Sequence, residues 1–186
     1  VWRTIISSSV LAQAPVRVIT VAEVLADQRY RSAVDLFAST LPIEKVASLK
    51  AALDMLSTGD PVLVVLPTKY DWTRILEKTS EAFGTKVVAL LSAGSDKPQR
   101  SLVVLGRAIS EPTGEDETLL VTTGKLPRDF VPKPVWHLKL SDDLHLTALP
   151  GYLTTSEQPL VGLKANTGLA LKVAGRYPSP MEFEEE

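Results

Sequence analysis

Apolar and polar positions along this chain follow two periods. Trp2, Ile5, Ile6, Ser9, Val10 and Gln13 recur at the i, i+3, i+4 spacing of a helix. Pro15 stops it, because the residue before a proline is pushed out of the α region. Residues 16–21 are β-branched and predict a strand. Leu25, Tyr30, Val34, Leu36 and Phe37 predict a helix, or two, over 24–38. A short strand over 43–46 and a helix over 48–56 follow, the helix closed by Thr58-Gly59-Asp60. Residues 61–66 read as a buried strand, apolar on both faces as parallel strands are. Asp71 is placed to cap a helix running through Trp72, Ile75, Leu76, Ala82 and Phe83, with Gly84 at its C-cap. Strands over 86–91 and 101–105 complete an alternation that predicts an α/β layered domain.

Beyond this point the pattern changes. Residues 111–117 read as an exposed acidic linker. Strands are predicted over 118–122, 135–140 and 144–149, and the last two flank Ser141-Asp142-Asp143, a hairpin turn. A helix over 158–165 and a strand over 169–174 complete a small α+β module. The expected organisation is therefore a closing helix in 1–14, an α/β domain in 15–112, an α+β module in 113–180 and an acidic tail in 181–186. No internal repeat or low-complexity segment interrupts it.

Composition narrows the function classes. The chain has 186 residues, enough for one ordinary domain or two small ones, with 45% apolar and 23% charged residues. A net charge of −2 with scattered Lys and Arg gives no reason to expect nucleic acid or an anionic membrane as partner. There is no cysteine, which removes disulfides, thiolate nucleophiles and Cys-zinc sites. No apolar run approaches the length of a membrane span, and residues 1–15 lack the features of a signal peptide. A cytoplasmic protein is expected. The chain opens on valine inside a helical pattern, which suggests a piece of something longer.

Candidate chemistry is sparse. No Ser-His-Asp arrangement, P-loop or dinucleotide fingerprint is present. Asp71, Asp142 and Asp143 read as cap and turn residues. His137 and His145 lie on opposite limbs of the predicted hairpin and would face each other if it closes on the Ser141-Asp142-Asp143 turn; two strand histidines read as structural, so neither a metal nor another cofactor is expected.

The opening helix carries a resemblance. Trp2-Arg3-x-Ile5-Ile6-Ser7-x-Ser9-Val10-Leu11-Ala12-Gln13 resembles the last helix of the all-helical, AroQ-type chorismate mutases. That family's closing helix carries a Ser-x-x-x-Gln pair, matched by Ser9 and Gln13. In bifunctional chorismate mutase–prephenate dehydratases a similar helix runs through a short proline linker into the next domain's first strand, as Ala14-Pro15-Val16 does here. The resemblance implies conversion of chorismate to prephenate, a pericyclic step needing only a compact bound conformer and a donor to the breaking ether bond. Gln13 would donate that hydrogen bond and Ser9 would bind the ring hydroxyl or a carboxylate. The cationic clamps of that site belong to helices absent here, so this chain would be inactive alone. The alternative is that both are ordinary helix-edge residues.

A second resemblance follows. Residues 16–123 resemble a prephenate dehydratase region leading into an ACT-like regulatory module. It rests on Val64-Val65-Leu66-Pro67, like the strand entering the family's Pro-Ile-Glu-Asn-Ser segment; on Gln99-Arg100 and the strand Ser101–Gly106, like its Thr-Arg-Phe strand; and on Glu117–Val121. Ala22-Glu23-Val24-Leu25 replaces the family's Gly-Thr-Phe-Ser, and Gln99 replaces the catalytic threonine. With room for a single lobe, the region would be a degenerate, non-catalytic extension. The alternative of a different class is a regulatory module binding a small metabolite such as an aromatic amino acid, with Arg100 holding its carboxylate unless it is a plain surface arginine. The chorismate mutase resemblance, whose members are commonly dimers, also implies a homodimer.

Overall fold

A computed structural model describes residues 16–39, 41–79, 84–92, 101–107 and 111–179. The chain divides into two compact units, one within residues 1–108 and one within 109–186. Among the described residues no helix is long and apolar enough to cross a membrane.

The first unit is a mixed sheet with helices, in the α/β class predicted. Strand β1 (Arg17–Val21) leads to helices α1 (Ala22–Ala26) and α2 (Gln28–Phe37). Asp27 divides the two helices and caps the second, its carboxylate accepting from the Arg29 N–H at 2.9 Å. Next come β2 (Ile43–Val46), α3 (Leu49–Met55) with Ser48 as its cap, and β3 (Val62–Pro67). Asp71 caps α4 (Trp72–Lys78) as its sequence position predicts, accepting from the Thr73 N–H at 3.1 Å. Strands β4 (Thr85–Ser92) and β5 (Ser101–Arg107) finish the unit.

The strand order is β2-β1-β3-β5-β4. β1 lies parallel to both β2 and β3, whereas β5 runs antiparallel to β3 and β4. The double-faced burial of β3 thus does not mark an all-parallel sheet; it marks a central strand, with Val64, Val65 and Leu66 fully buried. Val18, Ile19, Leu102, Val103, Val104 and Leu105 extend that core along the neighbouring strands.

The second unit contains β6 (Asp116–Thr122), β7 (Trp136–Ser141), β8 (Leu144–Pro150), α5 (Leu160–Thr167) and β9 (Leu171–Pro178). All its pairings are antiparallel, in the order β9-β6-β8-β7. This is a split-βαβ arrangement in which the first crossover, 123–135, carries no helix. β9 continues four residues past its expected end because it pairs with β6 as far as Pro178, opposite Asp116.

The expectation of an exposed acidic linker through Glu117 is corrected. Asp116 and Glu117 open β6 and are only 6% and 5% exposed. A buried carboxylate is costly unless hydrogen-bonded, and Asp116 accepts from the Thr113 N–H and hydroxyl, both at 2.8 Å, and from the Gly114 N–H at 3.2 Å. Burial alone would raise its pKa, but these bonds outweigh it and hold the carboxyl below its ordinary value.

One face of this sheet is covered by its own connections. Leu120 of β6, Leu149 of β8, and Leu160 and Leu163 of α5 form a buried cluster with Leu126; Phe130, Leu171 and Val173 pack against it. Leu126 and Phe130 belong to the 123–135 crossover, which is therefore anchored at two apolar points.

Candidate functional site

The three residues singled out from the sequence, Ser9, Gln13 and Arg100, lie outside the described residues, as does the predicted helix over 1–14. Ser101, next to Arg100, opens β5 at the carboxyl end of β3; its carbonyl accepts from the N–H and hydroxyl of Thr68.

Within the first unit, strand order points to the carboxyl ends of β1 and β3. The connections leaving β1 and β2 place β2 and β3 on opposite sides of β1, and ligands of open α/β sheets bind at such switch points. Here the segment after β1 meets the segment after β3: the Tyr70 phenol donates to the Glu23 carboxylate at 2.7 Å. Burial, that hydrogen bond and the neighbouring charge push the Tyr70 pKa up to about 12. Trp72 donates its indole N–H to the Thr68 carbonyl at 2.7 Å, fixing the turn between them. Glu23 belongs to the Ala22–Leu25 segment that stands in place of the dehydratase Gly-Thr-Phe-Ser, and its carboxylate is engaged by the Tyr70 hydroxyl. A phenol whose pKa is pushed up to about 12 stays protonated at neutral pH and is a poor general base there.

The second unit holds a concavity. A cavity of about 150 Å³ is lined by Lys125, Leu126, Pro127, Arg128, Phe130, Lys133, Pro134, His137 and Thr147. Its floor comes from one face of the sheet, where His137 of β7 pairs with Thr147 of β8. Its wall is the 123–135 crossover, held by the Leu126 and Phe130 anchors, by a turn from the Phe130 N–H to the Pro127 carbonyl, and by Lys133, whose ammonium donates to the Arg128 carbonyl at 2.7 Å.

The two histidines face each other, as the hairpin reading anticipated. His137 Nε2 lies 2.9 Å from His145 Nδ1, with the rings stacked at 5.1 Å between centroids. One N–H lies between the two nitrogens, so the pair holds together when neutral or singly protonated and loses its hydrogen bond when both rings are charged. Burial first, then His145, then Lys125 hold the His137 pKa below its ordinary value. Among the described residues no three His, Asp or Glu side chains gather in a metal-binding group.

Lys125, Arg128, Lys133 and His137 are among the residues lining the cavity and no carboxylate is, while the surface exposed to it is mostly apolar. Thr147 is 1% exposed, and its buried hydroxyl has no hydrogen-bond partner. The arrangement can hold an apolar body with cationic side chains around it; the described residues that line it include no nucleophile with an adjacent base. Sequence reasoning missed this site. The signal was the length of the structureless connection, near the 12–15 residues beyond which such loops are uncommon and usually functional or disordered, carrying three cations, three prolines and a phenylalanine.

No family model matches this chain, and no curated protein does. Solved structures do. The quorum-quenching acylase GqqA superposes with a TM-score of 0.57 at 11% identity, covering 89% of this chain and 96% of the acylase. Prephenate dehydratase from Streptococcus mutans superposes with a TM-score of 0.50 at 10% identity, covering 87% of this chain and 97% of the enzyme. At such identities the likeness shows a shared fold: the chain has a prephenate dehydratase-like α/β architecture.

Proposed function

We propose that this chain is a non-catalytic binding module of aromatic amino-acid metabolism, holding a small aromatic carboxylate in the cavity of its second unit. The observation that carries this reading is that cavity: apolar walls, three cations and a histidine, and no acidic residue. The prephenate dehydratase-like fold supports the metabolic setting, and the Tyr70–Glu23 pair, occupying the strand ends of the first unit, supports the absence of catalysis there. The split-βαβ topology of the second unit is compatible with the ACT-like regulatory role that the resemblance to prephenate dehydratases implies.

Calorimetric titration tests the reading. Aromatic carboxylates, amino acids included, are expected to bind as a class, and 3-phenylpropan-1-ol, which keeps the ring and arm but lacks the charge, is expected not to. Equal binding of the alcohol, or no binding of any carboxylate at millimolar concentration, contradicts it.

A second reading is favoured by the opening segment Trp2–Gln13: the chain continues a chorismate mutase, to which Ser9 and Gln13 contribute one wall. Under it, a form extended upstream through the mutase helices converts chorismate to prephenate, and Gln13→Ala reduces turnover about 100-fold or more, the scale of losing one donor to developing charge. Undiminished turnover contradicts it.

A further inference from the structure

β7 is an outer strand of its sheet: β8 is its neighbour there, and the 123–135 crossover runs directly into it. A strand bonded along one edge is among the first parts of a sheet to open. We propose that the His137–His145 pair is an acid-sensitive latch, which holds β7 and the end of the crossover against β8 at neutral pH and lets them loosen once both rings carry a proton. This device stands on the hairpin itself and is independent of what the cavity binds.

The geometry leaves room for one proton between the rings. His137 Nε2 and His145 Nδ1 are 2.9 Å apart, so one nitrogen must accept what the other donates. A first added proton goes to an outward nitrogen and keeps that bond, now charge-assisted. A second puts an N–H on both facing nitrogens and two positive charges within hydrogen-bond distance. His145 is 7% exposed and His137 half-buried, so water screens little of that repulsion. On the same face of β7 the next side chain is Lys139, whose tie is to the exposed turn residue Asp142. Exposed pairs of this kind hold little. The histidine contact is therefore the buried side-chain tie between β7 and β8 on this face.

Nothing around the pair offsets a second charge. The charged groups on the elements packed about it are Lys125, Arg128, Asp129 and Lys133 of the crossover, Lys139 of β7, and Asp142 and Asp143 of the turn. β6 sets the uncharged Thr122 opposite His145. Of the three carboxylates, Asp142 is engaged by the Lys139 ammonium at 2.7 Å, and Asp143 is exposed in the turn. Asp129 is exposed and is not among the residues lining the cavity beside His137. The lowered His137 pKa agrees with this arrangement. An unfolded chain takes up both protons near the ordinary histidine value of about 6.5, whereas the closed hairpin takes up the second only at lower pH. The latch thus contributes its full stability above that value and loses it as pH falls below.

The test is a titration of the full chain from pH 7.5 to 5, above the range in which ordinary carboxylates titrate. By NMR, the Cε1–H resonances of the two histidines are expected to report separate steps, the second displaced at least about one pH unit below the first. The backbone amides of residues 136–140 are expected to move with the second step. Over the same range the thermal midpoint is expected to fall by about 5–10 °C, the scale on which a one- to twofold power of ten in the folding equilibrium moves a small domain. His137→Gln keeps an amide to meet His145 and cannot be charged; it is expected to cut that fall by at least about half. Rings that protonate together near the ordinary value overturn the latch, as do β7 amides that stay unmoved while the second ring protonates. A midpoint that falls as far in a folded His137→Gln chain as in the wild type overturns it too. Should that variant not fold, the wild-type titration decides by itself.

Discussion

Replacing Trp72 with alanine is expected to destabilise the first unit by about 3–5 kcal/mol, the range for truncating a large buried aromatic. Trp72 opens α4 and is 1% exposed. Its buried ring fills core volume that surrounding side chains refill only in part when it is removed, and its indole N–H holds the Thr68 carbonyl at 2.7 Å. Trp72→Phe separates the two contributions. It keeps most of the apolar ring and loses the hydrogen bond, so a cost of about 1–2 kcal/mol is expected. Urea denaturation followed by far-UV circular dichroism measures both. A Trp72→Ala midpoint close to wild type would mean that the ring is not packed as described.

The second large effect is on binding. Lys125→Ala combined with Arg128→Ala is expected to weaken an aromatic carboxylate by about 2–3 kcal/mol, or roughly 30- to 150-fold, since hydrogen bonds to charged groups contribute about 1.5–3 kcal/mol each and exposed heads deliver the lower end. Both residues are exposed, so the variant's thermal midpoint is expected to stay within the small range of ordinary surface changes. Affinity and stability thus move independently, which a folding defect would not allow. The same titration in added salt is expected to lose affinity, because exposed charge pairs are screened. Undiminished affinity in the double variant would place the carboxylate elsewhere.

How far the sequence revealed these features depended on the kind of signal each carries. Local periodicity and capping were legible. β1 and β2 fall where β-branched residues cluster, and Ser48 and Asp71 cap the helices they precede. The hairpin of β7 and β8 was legible from its alternation and its turn, and with it the meeting of His137 and His145. Strand direction was not. Nothing local tells Val62–Leu66 that one neighbour runs parallel and the other antiparallel, because that depends on connections between remote segments. Burial of the acids at 116 and 117 was also illegible, since a carboxylate reads as solvated until Thr113 and Gly114 are seen folding back onto it. The cavity combines both difficulties. Its floor, His137 and Thr147, is built across two strands, while its wall is a connection whose prolines and lysines read as ordinary loop. Ser9, Gln13 and Arg100 carried the resemblance and lie outside the described residues; the binding proposed for this chain rests on the cavity around Lys125, Arg128 and His137 instead.

The most direct measurement of the central claim is a map of where an aromatic carboxylate touches the chain. Backbone amide resonances of the labelled protein, followed by NMR while 3-phenylpropionate is added, are expected to shift at Lys125, Leu126, Arg128, Phe130, His137 and Thr147 and to stay still at Glu23, Thr68 and Tyr70. Shifts concentrated at Glu23, Thr68 and Tyr70, with the crossover silent, would contradict the account and return the ligand to the strand ends of the first unit.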